Sequence, residues 1–148
     1  MPEKKTVRKA KKALREGKKP STAAGEFVRE EIEHVRKGKH GARSTKQVIA
    51  IGLSKARRAG VPLSAPKKGT TSSRTRKTAT RDLAVGKKKA KTGAAATGKS
   101  KAAKTSRRRA RASSAALERQ GRKAASKPAL SRQAKRTASK QRARAATR

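Results

Sequence analysis

Apolar residues recur at helical spacing through the first 66 residues and become sparse after them. Val7, Ala10 and Leu14 fall on one side of a stretch from about Thr6 to Glu16, and Gly17 stands where a helix would stop. Pro20 and Ser21 mark a turn, with Ser21 or Thr22 as N-cap of a second helix running to about Lys37. At about 100° per residue, Ala24, Phe27, Val28, Ile32 and Val35 gather on one face of it, while Glu26, Glu30 and Glu33 fall opposite. Gly38 closes this helix, and a loop rich in glycine and charge follows to Arg43.

The third helix has the clearest ends. Ser44 and Gln47 fit the capping box, in which two side chains satisfy each other's exposed N–H groups, and Gly60 with Pro62 supplies the stop. Val48, Ile49, Gly52, Leu53, Ala56 and Ala59 form its apolar arc, with Ile51 at the edge. Lys46, Gln47, Ala50, Ser54, Arg57 and Arg58 lie opposite. A mid-helix glycine costs about 1 kcal/mol relative to alanine. Its place in the apolar arc predicts that the second helix approaches closely at Gly52. The second and third helices are expected to pair as a hairpin, with the first lying across them.

Beyond the stiff junction from Val61 to Pro66 the vocabulary narrows to Lys, Arg, Ala, Ser, Thr and Gly. Leu83, Val85, Leu117 and Leu130 are the only sizeable aliphatic side chains there. So little apolar surface cannot offset the entropy of ordering a chain. The expected fold is therefore an all-α head of about three helices over 1–66, followed by a long, largely disordered cationic tail over 67–148. Ala-rich stretches near 101–120 and 129–147 have good helix propensity but repel themselves, and are expected to become helical only when phosphates screen them.

Charge points to the partner. Residues 67–148 hold 28 Lys or Arg against Asp82 and Glu118, and the first 66 hold 18 against six acids, giving +38 overall. A charge of +26 on the second part would neutralise about 44 Å of duplex, and that part would reach about 270 Å if extended. The residues assigned to nucleic-acid contact are Arg43, Lys46, Arg57 and Arg58 on the third helix and its approach. After the junction come Lys67 and Lys68; Arg74, Arg76 and Lys77; and Lys87, Lys88 and Lys89. The series ends with Arg107, Arg108, Arg109 and Arg111, then Arg122 and Lys123, then Lys135 and Arg136. The loop from Gly38 to Ser44 is longer than a helix-turn-helix turn, which argues against base reading by that motif.

Other chemistry finds little support. Phe27 is the sole aromatic residue, so the stacking platforms of single-strand binders are missing, and double-stranded DNA is the favoured partner. Structured RNA stays open, as does a homodimer through the head. Gly93 to Ser100 matches the P-loop pattern, but lysines precede it where a buried strand is needed, so a chance match is expected. Glu30, His34 and His40 fall short of a metal site, which needs converging ligands with supporting partners, and solvated ion pairing is the expected role. With no cysteine there is no disulfide or thiolate ligand, and no catalytic residue or cofactor is assigned. No apolar run approaches the about 20 residues that span a bilayer, and no secretory leader is evident, so a cytoplasmic, nucleoid location is expected.

Gly25 to His34, Gly38 to Gln47 and Ile49 to Gly60 together resemble a small bacterial family whose domain has no assigned function. Its members are sometimes labelled DNA-binding or plasmid-stabilisation proteins. The resemblance covers roughly residues 1–66 and implies a bacterial cytoplasm; it carries no catalytic residues. The rest resembles the Lys/Ala-rich tails of linker-histone-like bacterial proteins. A non-enzymatic, nucleoid-associated duplex DNA binder is the leading expectation. An RNA- or ribosome-associated binder and a plasmid-maintenance interaction module are the alternatives.

Overall fold

A computed structural model describes residues 2–92 and 101–146. Six α-helices carry them: α1 (Lys4–Arg15), α2 (Pro20–Arg36), α3 (Thr45–Arg58), α4 (Ser73–Thr92), α5 (Lys101–Glu118) and α6 (Lys127–Ala146). A 3-10 turn at Lys123–Ala125 precedes α6, and no strand occurs among the described residues. The bounds of the first three helices lie close to their sequence patterns, except that α2 starts at Pro20, ahead of the expected Ser21 or Thr22 cap, with Lys19 O accepting from Thr22 N and Ala23 N. Gly17, Gly38 and Gly60, the predicted stops, have φ of 71°, 75° and 94°, a conformation that side chains with a Cβ avoid. The cap of α3 differs in one detail. Gln47 N donates to Ser44 Oγ at 3.3 Å, but the Gln47 side-chain oxygen accepts from Arg43 N at 2.9 Å rather than from Ser44 N.

The described residues divide into two units. One comprises 2–31 with 50–92. Its core joins Ala10 and Ala13 of α1, Ala23, Ala24 and Phe27 of α2, Ala56 of α3, and Val61 beyond it. Val7, Leu14, Leu53 and Leu63 pack around them. Gly52 does admit α2: a Cβ there would sit 2.7 Å from Val28 Cα. Gly52→Ala should therefore lower the unfolding free energy by about 1–3 kcal/mol, because overpacking outweighs the gain in helix propensity. Urea denaturation checks the sign, and a more stable variant would show that the two helices can part.

The second unit comprises 32–49 with 101–146. Val35, Ala42, Val48, Ala124 and Ala125 form its core, with Ile32 packed against it. Hydrogen bonds from the earlier segment fall on backbone carbonyls of the later one. Gly41 N donates to Leu117 O at 2.9 Å and Ala42 N to Gly121 O at 3.1 Å. Thr45 Oγ1 donates to Ala124 O at 2.7 Å, and Arg36 Nε to Ala125 O at 2.9 Å.

The expected disordered tail is overturned. Residues from Ser73 onward form α4, α5 and α6, and both units draw core or hydrogen-bonding groups from them. The reason is that docking here uses small residues and polar groups in place of large aliphatic ones. Ala79, Asp82 and Gly86 are the buried residues of α4 among residues 73–88. Gly86 lies so close to the Arg57 carbonyl that no Cβ would fit between them. The Ala-rich stretches expected to be helical only on phosphate are α5 and α6 of the chain itself.

Candidate nucleic-acid interface

The acids show how much positive charge remains for a partner. Only eight Asp or Glu face 46 Lys or Arg, and at least five of the eight sit in ion pairs. Lys18 reaches Glu16 at 2.8 Å, which holds the Glu16 carboxyl below its ordinary range and the Lys18 amine above its own. Arg29 pairs with Glu26, Lys37 with Glu33, and Lys55 with the buried Glu31. Glu30, expected on the solvent face of α2, is buried and accepts from Glu3 N at 3.1 Å. Internal pairing thus occupies most of the acids and leaves most bases uncompensated.

α4 sorts its charges by face. At about 100° per residue, Arg74, Lys77, Thr78, Arg81 and Lys88 share one arc, and Ala79, Asp82, Leu83 and Gly86 share another. The second arc docks; Asp82 accepts from Ser54 Oγ at 2.5 Å and from Arg58 Nε at 2.8 Å. The only acid of α4 is therefore turned inward and occupied. The first arc is exposed, and Ser73, Arg74, Lys77, Thr78 and Arg81 line an open groove of about 440 Å³. Over the about 21 Å from Arg74 to Lys88, this face offers bases and hydroxyls, interrupted by the exposed Val85, and carries no carboxylate.

α6 repeats the arrangement. Arg132, Lys135, Arg136, Lys140 and Arg142 fall within an arc of about 160° and are all exposed. Gln133, Ala134, Thr137 and Gln141 lie opposite. Arg108, Arg109 and Arg111 of α5 are exposed as well. A helix that is polar all round and solvated suits a surface meant to meet a polyanion.

Among the residues assigned from sequence, Lys67, Lys68, Arg74, Lys77, Lys87, Lys88, Lys135 and Arg136 are exposed, as are Arg43 and Lys46, and Arg76 is half-buried. Arg43, Arg122 and Lys123 come together at one groove of the second unit. Two assignments on α3 need correction. Arg57 is buried and donates to Leu63 O and Ser64 O, each at 3.2 Å. Burial pushes its guanidinium below the ordinary value, and the negative charge of Asp82 opposes that in part. Arg58 is committed to Asp82. Both serve the fold. The side chains of Lys89 and Arg107, and the whole P-loop match at 93–100, lie outside the described residues.

Sequence reasoning passes over Arg81, Arg132, Lys140 and Arg142. Applying the helical period to 73–146 would place each in its arc. The two imidazoles also fold together, with His34 and His40 edge to face at 6.2 Å between ring centroids. Among the described residues no helix is long and apolar enough to cross a membrane. No protein-family model, curated protein or solved structure matches the chain.

Proposed function

We propose that the protein is a non-enzymatic, histone-like component of the bacterial nucleoid that binds duplex DNA through its phosphates. The observation that carries this reading is the division of α4, which exposes Arg74, Lys77 and Arg81 on one face while burying Asp82 on another. Phosphate contacts position a protein on a duplex without reading its sequence, and arrays of Arg, Lys and hydroxyl groups are what they require. Phe27, the sole Phe, Tyr or Trp of the chain, is fully buried, so base stacking on a benzene or indole ring is unavailable as a route to single strands. Exposed bases on α4, α5 and α6 supply many phosphate contacts per molecule, which is what compacting duplex DNA demands.

The test is an Arg74→Ala/Lys77→Ala/Arg81→Ala protein, compared with the unaltered chain for duplex binding at several salt concentrations. Circular dichroism should be unchanged, since all three side chains are exposed. The slope of log affinity against log salt should become shallower by about three, one for each phosphate that the variant no longer neutralises. An unchanged slope would remove α4 from the interface. Competition by structured RNA at matched salt separates the two polyanions, and stronger competition by RNA than by duplex DNA would reassign the partner.

A further inference from the structure

His34 and His40 are the only two histidines of the chain, and the fold brings their rings to one place. His34 belongs to the last turn of α2, and His40 follows on the loop after it. The buried Glu31 stands three residues before His34 on the same helix, and so on the same face. One oxygen of Glu31 and one ring nitrogen from each histidine all lie within 4.8 Å of one another. A tetrahedral ion with bonds of about 2.1 Å holds its donors about 3.4 Å apart, so no pair must close by more than about 1.4 Å. His40, half-buried on its loop, is placed to make that adjustment.

Convergence is one requirement of a metal site and outer support is the other. His40 Nδ1 lies 3.1 Å from Gly41 O. A carbonyl only accepts, so this bond puts the ring proton on Nδ1 and leaves the lone pair of a neutral imidazole on Nε2. Ligating histidines adopt the same arrangement, with one nitrogen on the metal and the other donating to a carbonyl or carboxylate. Gly41 is itself fixed: its N donates to Leu117 O at 2.9 Å, and the Gln120 carbonyl leaves no room for a Cβ. For His34 the matching partner is Glu30, four residues earlier on α2, with a carboxylate oxygen within 4.8 Å of a ring nitrogen. Lys55 binds Oε2 of Glu31, which orients that carboxylate and assigns Oε1 to the ion.

Two nitrogen donors and one carboxylate suit zinc among common cellular cations, because magnesium and calcium select oxygen. We propose that Glu31, His34 and His40 bind one zinc ion, with water as the fourth ligand and with Glu30 and Gly41 O bracing the two rings. The ion sits between donors that face one another, not in a surface groove. It enters from the loop side, where Gly38 and Lys39 are exposed, as His40 swings out and returns as a ligand. Bound there, it would pin the loop 38–43 to the end of α2. This site does not depend on how the protein meets nucleic acid.

The test is a zinc titration of the full-length protein, followed by calorimetry and by nuclear magnetic resonance of the imidazole rings. With two histidines in the chain, the ring signals report this site alone. One ion should bind per chain, both rings should shift together up to one equivalent, and excess magnesium should not compete. Cobalt in place of zinc should give the intense visible absorption of a tetrahedral centre. His40→Gln and His34→Gln should each weaken zinc binding by more than the about 10- to 100-fold typical of losing an outer partner. No binding, one ring shifting alone, displacement by magnesium, a weak octahedral cobalt spectrum or a smaller loss in either variant would overturn the proposal. The titration of the unaltered chain decides the matter even where a variant fails to fold.

Discussion

Arg58→Ala should lower the unfolding free energy by about 3 kcal/mol, and Asp82→Ala by less, about 1.5–2 kcal/mol. The asymmetry follows from where the two groups sit. Asp82 is 1% exposed, so its carboxylate has been taken fully out of water and depends on Arg58 Nε and Ser54 Oγ. Without the Arg58 guanidinium, the buried carboxylate would keep one hydroxyl donor and the charge of Arg57, which makes no hydrogen bond to it. The Arg58 side chain is 56% exposed, and when the carboxylate is removed it can return to solvent. That exposure also places the Arg58→Ala cost at the low end of the range for buried pairs, since water screens the pair from one side. The double variant should resemble Asp82→Ala alone, because removing the carboxylate removes the penalty for losing its partner. Urea unfolding of the three variants measures all of this, and an inverted order of the single costs would show that the carboxylate does not rely on Arg58.

This pair also explains why half of the fold is hard to see in the sequence. In α1, α2 and α3 the large residues Val7, Leu14, Phe27, Val35 and Val48 mark the inward faces, and glycines with positive φ mark the ends, so period and punctuation agree. In α4 the inward face is written in Ala79, Asp82 and Gly86. An alanine counts for little in an apolar tally, a glycine reads as a breaker, and an aspartate reads as surface. Ala124 and Ala125 escape notice for the same reason, although they complete the second core. Small side chains let backbones approach closely, and hydrogen bonds to Leu117, Gly121, Ala124 and Ala125 carbonyls leave no side-chain signature at those positions.

The candidate interface divides in the same way. Net charge and the scarcity of aromatics follow from composition, and the proposed class of partner rests on them. Which bases are available does not follow from it. Arg57 and Arg58 look like their neighbours in the sequence, yet one is bound to backbone carbonyls and the other to a carboxylate supplied 24 residues later. Arg81 sits beside Asp82 but about 100° away around α4, exposed where Asp82 is buried, a distinction that only the helical phase supplies.

Affinity for duplex DNA should fall by about 10³- to 10⁵-fold between 50 and 200 mM salt if six to ten phosphates are engaged, because each neutralised phosphate releases condensed counterions. The same change should make the free protein more stable. A chain of net charge +38 repels itself, and shortening the screening length relieves that repulsion. The opposite signs separate lost binding from lost folding, since a protein that merely unfolded would lose both together. The decisive measurement is therefore fluorescence anisotropy of a labelled duplex across this salt range, with a urea melt of the protein at each concentration. Our account predicts steeply weakening binding by an increasingly stable protein. Affinity that does not change with salt, or no duplex binding at low salt by a folded protein, would contradict it.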